Sequence, residues 1–260
     1  MLRFPDLNPI AFSTGPFQVR WYGLMYLFGI GGAILLLKRP LKRRLGLTGD
    51  QIMTLVTVLL VGIILGGRLG YILFYDLAYY LGHPLEIWAY WRGGMSYHGG
   101  ALGCVLALLW FSRSHRVPLL PLLDYLAMGS TLGLALGRIG NFINGELYGR
   151  ITRVSWGMVF PTGGPLPRHP SQLYEAVLEG PILFLCLWMA HRWGRLKDGQ
   201  VFALYLVLYG TFRFFLEFFR EPDLQLGYFW GVATMGQLLC MAMIVVGLGL
   251  GLKLQVRQSH

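Results

Sequence analysis

Residues Gln51 to Tyr75 read QIMTLVTVLLVGIILGGRLGYILFY, and the one charge in that run is Arg68. An α-helix rises about 1.5 Å per residue, so roughly 20 apolar residues cross a hydrocarbon core of about 30 Å. The run is long enough to span and too apolar to coat a water-soluble domain. The same ruler, moved outward along the chain, finds further spans at Phe17 to Leu37, Met95 to Phe111, Leu119 to Asn141, Leu173 to Met189, Val201 to Phe219 and Phe229 to Leu252. The fold expected is therefore all-α: a polytopic membrane protein with seven transmembrane helices in a single integral membrane domain over 1-260. Composition agrees, with 55% hydrophobic and only 13% charged residues, where a soluble domain carries about 25% charged. Disorder is excluded by the same apolar content.

The 22 Lys+Arg against 12 Asp+Glu leave a formal net charge of +10, and the basic residues are not scattered. Lys38, Arg39, Lys42, Arg43 and Arg44 follow the first span; Arg113 and Arg116 the third; Arg192, Arg195 and Lys197 the fifth; Lys253 and Arg257 the seventh. These alternate connections share one side, which the positive-inside rule makes the cytoplasm. The N-terminus is then outside and the C-terminus cytoplasmic. Opposite lie Leu77 to Gly94, with Tyr79, Tyr80, Trp88, Tyr90 and Trp91, an aromatic segment suited to the headgroup interface as a short helix. There too is Gly145 to Pro170, rich in Pro and Gly, a small outer cap at about 145-170. The first residues lack the basic start and apolar core of a cleavable signal peptide. Cys104, Cys186 and Cys240 each sit in an apolar run and read as packing residues. Gly62, Gly66, Gly70 and Gly129, Gly133, Gly137 recur every four residues, the small-residue stripe of closely packed membrane helices.

Ionisable groups inside spans are costly and mark function. Arg68, Arg138 and Arg213 lie 17, 19 and 12 residues from the inner ends of their helices, about 18 to 28 Å along at 1.5 Å per residue. Three guanidinium groups in the outer half of the bilayer suit an anion, because the planar fork matches phosphate oxygens. The plainer alternatives are snorkelling to the interface and pairing of Arg213 with Glu217 four residues on. Asn141, Asn144 and Glu146 follow Arg138 within one short stretch, more polar groups than a helix cap requires. The amides can donate to phosphate or ester oxygens, and Glu146 can hold an arginine. His98 stands in GGMSYHGGALG at the outer start of the third span, and histidine is the residue type best suited to a general base at physiological pH. His169 is a weaker second candidate, and Tyr22 stands at the same outer level. No HExxH, GxSxG or P-loop pattern occurs, Cys and His show no metal-ligand spacing, and the basic residues follow topology rather than a nucleic-acid pattern. No metal, other cofactor or nucleic-acid partner is expected.

The run GRIGNFINGELYG, Gly137 to Gly149, resembles the signature of the prolipoprotein diacylglyceryl transferases. So do WYGLMY (Trp21 to Tyr26), GGRLGY (Gly66 to Tyr71), GGMSYHGG (Gly93 to Gly100), RHPSQLYE (Arg168 to Glu175) and FRFFLEFFREPD (Phe212 to Asp223). The resemblance implies a seven-helix enzyme of the bacterial inner membrane, with its active site toward the outer, periplasmic leaflet. Its partners would be phosphatidylglycerol, other membrane lipids and a preprolipoprotein signal peptide with a lipobox Cys. The reaction implied is transfer of the diacylglyceryl group to that thiol, with a thioether formed and glycerol phosphate released. By resemblance, Tyr22, His98, Arg138, Asn141, Glu146, Tyr209 and Arg213 fall on residues the family relies on. The expected roles are phosphate and leaving-group stabilisation for Arg138 and Arg213, thiol deprotonation for His98, and headgroup positioning for Tyr22, Asn141 and Glu146. Glu217 would orient Arg213; Arg68, Asn144 and Tyr209 complete the substrate-binding set. A lipid flippase or transporter, and a non-catalytic anionic-lipid-binding protein, are the alternatives; neither would release glycerol phosphate.

Overall fold

A computed structural model describes residues 2–15, 17–89, 91, 93–194, 196–221 and 234–257. All seven expected segments contain helix: α1 (Trp21–Leu45), α2 (Gly49–Tyr75), α4 (Tyr97–Ser114), α5 (Leu119–Ile143), α6 (Ser171–Val177) continued by α7 (Leu183–Trp193), α8 (Gln200–Leu216) and α9 (Met235–Arg257). The short α3 (Leu77–Gly82) and a 3-10 turn (Pro84–Trp88) occupy the aromatic segment. Among the described residues, five helical segments are long and apolar enough to cross a membrane, and α8, at 17 residues, is a shorter apolar helix. Tyr90, Arg195, the end of FRFFLEFFREPD from Pro222 and the expected start of the seventh span at Phe229 lie outside the described residues.

Local chemistry explains where the helices begin. Thr48 and Gln51 form a reciprocal capping box at α2: Thr48 Oγ1 accepts from Gln51 N at 3.2 Å, and Gln51 Oε1 from Thr48 N at 2.9 Å. Ser96 caps α4, accepting from Gly99 N at 3.2 Å. The cap of α8 comes from another helix: Asp124 of α5 accepts from Gly199 N and Phe202 N, both at 2.7 Å. A buried carboxylate is satisfied there by the positive end of a helix.

The helices are not the whole fold. Phe17–Arg20, expected to open the first span, is instead strand β3, paired antiparallel with β2 (Ile10–Thr14); the helix starts at Trp21. Strand β1 (Leu2–Arg3) pairs in parallel with β4 (Met158–Val159) of the cap. Phe4 packs 5.2 Å from both Phe142 and Phe160. Apolar content marks Phe17 as span, but alternation with Gln18 and Arg20 is a strand pattern, and the hairpin satisfies the backbone.

The chain divides into two compact units, Met1–Leu37 with Leu123–His260, and Lys38–Leu122. Within the second, the glycine stripe of α2 faces that of α4. A Cβ on Gly66 would collide with Gly99 O and stand 2.8 Å from Gly103 Cα. Within the first, Gly29 of α1 faces Gly133 of α5, where a Cβ would stand 3.0 Å from Cα. Close backbone approach in lipid requires this absence of side chain.

Candidate active site

The end of α5 builds the first half of the site. After Ile143 the chain turns through Gly145 and Leu147, both at positive φ (65° and 56°). A leucine there is strained, and two contacts hold it: Ser171 Oγ donates to Leu147 O at 3.3 Å, and Gln172 Nε2 to Glu146 O at 2.7 Å. The turn folds Glu146 back under the helix, where Oε1 accepts from Asn141 Nδ2 at 3.0 Å and Asn144 Nδ2 at 3.1 Å. Tyr22 lies next to Asn141 and Glu146, its hydroxyl 3.1 Å from that of Tyr26. Gly140 makes room, since a Cβ on it would stand 3.0 Å from the Tyr22 ring.

The second half comes from a broken helix. Between α6 and α7, Leu178–Ile182 forms a π-helical turn, with Gly180 far from helical geometry (φ −97°, ψ −107°) and Pro181 behind it. Proline removes a backbone donor and disfavours helical geometry in the residue before it. A Cβ on Gly180 would stand 2.5 Å from the Cβ of Ala135 in α5. That approach sets Gln172, Glu175 and Glu179, all buried, against the stretch of α5 that carries Arg138.

The ion network follows. Arg138 Nε lies 2.7 Å from Glu175 Oε2 and 3.8 Å from Glu179 Oε2. Arg213 Nη1 lies 3.3 Å from Glu175 Oε1, and Arg213 Nη2 lies 3.0 Å from Glu217 Oε2. Glu175 therefore joins both arginines, one oxygen to each. Glu217 Oε1 accepts from Thr234 Oγ1 at 3.3 Å, and Tyr209 lies beside Glu179 and Arg213. Among the described residues, the Nη groups of Arg138 donate no hydrogen bond to protein, and the side chain is 19% exposed. Two fixed cations, one with an unengaged fork, can bind an anionic oxygen cluster and stabilise charge that develops on it.

The expected residues are thus distributed unevenly. Arg138, Asn141, Asn144, Glu146, Tyr22, Tyr209, Arg213 and Glu217 are drawn into this network and the turn beside it. The Arg213–Glu217 pair forms as its spacing foretold. Glu146, expected to hold an arginine, holds two asparagine amides, because the turn at Leu147 points it back along α5. Arg68 and His98 belong to the other unit. Arg68 is buried and donates through Nε to Ile87 O and through Nη2 to Glu86 O, both at 2.7 Å, and through Nη1 to Gly93 O at 2.7 Å and Gly94 O at 3.1 Å. Tyr80 stacks 5.0 Å from its guanidinium. An arginine so committed holds these carbonyls together, where the sequence placed it beside an anion. His98 is exposed in the first turn of α4, edge-on to Tyr97 at 5.7 Å. The reading by residue type missed Glu175 and Glu179. Their signal was two acids at i,i+4 inside an apolar span, subject to the rule applied to the arginines.

Comparison with known proteins supplies the family. The family model described as prolipoprotein diacylglyceryl transferase matches residues 9–252. The phosphatidylglycerol–prolipoprotein diacylglyceryl transferase of Geobacter sulfurreducens is 53% identical over 248 residues, 95% of each chain. That of Nitratidesulfovibrio vulgaris strain Hildenborough is 53% identical over 252 residues, covering 96% of this chain and 95% of the relative. That of Pseudomonas aeruginosa strain UCBPP-PA14 is 51% identical over 252 residues, covering 96% and 94%. The apolar helices of this chain are those of a multi-pass membrane protein. Matched over nearly its whole length, the chain belongs to the prolipoprotein diacylglyceryl transferase family, and it is a transferase.

Proposed function

We propose that this protein transfers the sn-1,2-diacylglyceryl group of phosphatidylglycerol to the lipobox cysteine thiol of preprolipoproteins, the first step of lipoprotein maturation. The observation that carries the reading is the pair Arg138 and Arg213 joined through Glu175, in a chain whose relatives are named for phosphatidylglycerol and prolipoprotein. The sulfur forms a bond to the glyceryl carbon as the carbon–oxygen bond to phosphate breaks. The electron pair leaves on glycerol phosphate, and the thiol proton goes to the His98 imidazole. Arg138 and Arg213 stabilise the negative charge that grows on the departing phosphate, an interaction stronger in the transition state than in the ground state. A thiol attacks poorly until deprotonated, which is the task of a base near neutral pH.

In this reading Tyr22, Asn141, Asn144 and Glu146 position the headgroup, and Glu217 and Tyr209 hold Arg213. Arg68 supports the aromatic segment. The seven helices cross the bacterial inner membrane as one domain over 1-260, N-terminus outside and C-terminus cytoplasmic. The cap at 145-170 and the site face the periplasmic leaflet, where lipoprotein signal peptides emerge.

The test uses purified protein in phosphatidylglycerol vesicles with a lipobox peptide. The expected products are a thioether on the cysteine and an equal amount of glycerol phosphate, with a Ser-substituted peptide unmodified. His98→Ala should slow transfer at neutral pH by about 10²-fold or more; full-rate transfer by it would remove the base role. Lipid movement between leaflets without covalent product would replace the reading with a flippase. Headgroup binding without glycerol phosphate release would replace it with a lipid-binding protein.

A further inference from the structure

Glu179 is fully buried in the middle of an apolar helix, at the π-helical break. Neither carboxylate oxygen has a hydrogen-bond partner among the described residues. Such a group is costly to bury and needs a reason to be there. Joining the arginines is not that reason, because Glu175 already reaches both, at 2.7 and 3.3 Å. What Glu179 adds is a second carboxylate on the Nε side of Arg138, at 3.8 Å. Gly180 and Pro181 set its place: the break lets the backbone close on Ala135, one turn before Arg138.

We propose that Glu179 is a positioning residue that sets the anion affinity of Arg138, an inference that rests on the proposed transfer reaction for its biological meaning. Two carboxylates against Nε turn the Nη edge of the guanidinium away from them, as a fork for phosphate oxygens. The same carboxylates oppose any anion bound to that fork. The leaving group is a phosphate monoester that gains charge as it departs. Arginines without a nearby counter-charge would retain it, and binding that is as strong for product as for the transition state gives no rate. Glu179 weakens the hold on the released anion while keeping the fork in place for the reaction.

Wild type and Glu179→Gln, purified in detergent micelles, are titrated with glycerol 1-phosphate by calorimetry, and transfer is followed in parallel in phosphatidylglycerol vesicles. Removing a charge this close to the guanidinium should tighten glycerol phosphate binding by about tenfold. It should lower kcat without raising KM for phosphatidylglycerol. Glu179→Asp, which draws the carboxylate back while keeping its charge, should shift both in the same direction by less, and it decides the matter if the Gln variant does not fold. Unchanged or weaker anion binding in the variants, with or without loss of kcat, overturns the inference, as does undetectable binding in every protein. A wild type that binds glycerol phosphate yet transfers nothing would sink the proposed reaction, while the affinity shift would still judge Glu179.

Discussion

Two arginines stand in nearly the same local sequence, Gly67-Arg68-Leu69-Gly70 and Gly137-Arg138-Ile139-Gly140, each toward the C-terminal end of a long apolar helix. Their surroundings could hardly differ more. Arg68 spreads Nε and both Nη groups over four backbone carbonyls of a loop. Arg138 meets carboxylates at Nε and keeps its fork unengaged by protein. Carbonyl groups are neutral dipoles that use up an arginine's donors one at a time. Carboxylates compensate its charge from one edge and leave the other edge for a ligand. The contrast separates an arginine whose donors are spent on backbone from one whose fork stays open to a ligand, though both look equally anomalous in an apolar span.

The largest expected effect is on Arg138. Arg138→Lys keeps the charge and loses the fork, so transfer in phosphatidylglycerol vesicles should fall by about 10²- to 10³-fold. Near-normal turnover by the lysine variant would break the comparison from this side. Arg68→Ala tests the other side. It leaves several part-buried carbonyls without donors and should cost about 2–4 kcal/mol of stability, read as thermal unfolding in micelles. Turnover per folded molecule should stay within about threefold of wild type. An Arg68→Ala protein that unfolds normally and no longer transfers would put Arg68 back among the substrate-binding residues.

The smallest effect concerns the cap beside the Arg138 site. His169 Nδ1 lies 3.1 Å from the Tyr174 hydroxyl, which also accepts from Trp156 Nε1 at 2.6 Å. Burial lowers the His169 pKa below the ordinary histidine value of about 6.5. The unfolded chain therefore takes up the proton first as pH falls. The stability contribution is whole above the unfolded value and is lost as pH drops through the lower folded value. Hydrogen exchange in residues 148–170 should rise modestly as pH is lowered below about 6.5, and His169→Gln should remove that dependence. Exchange that rises equally in the variant would assign the effect to another group.

Much of this was legible in residue order. Apolar run length located seven helical segments, and the four-residue glycine repeat in α2 marked the face that α4 packs against. The spacing of Arg213 and Glu217 foretold their pair, since i,i+4 neighbours share a helix face. Legibility failed where partners come from afar. Nothing near Arg68 in sequence reveals that carbonyls 18 to 26 residues away would absorb its donors. Asp124 reads as a stray acid until Gly199 and Phe202 arrive, 75 and 78 residues later. The N-terminal hairpin was hidden because Phe17–Arg20 is apolar enough at one end to extend a span, and only its pairing with Ile10–Thr14 makes it a strand.

By itself the sequence determined the membrane-helical class, the family and the cast of polar residues, because hydropathy, spacing and motif are local properties of the chain. Tertiary structure alone decided which arginine meets carboxylates and which meets backbone carbonyls. The break at Gly180 and Pro181 carries Glu175 and Glu179 onto Arg138, while the loop after α3 closes over Arg68. A guanidinium's role depends on whether dipoles or charges surround it, and that is settled only when distant segments meet.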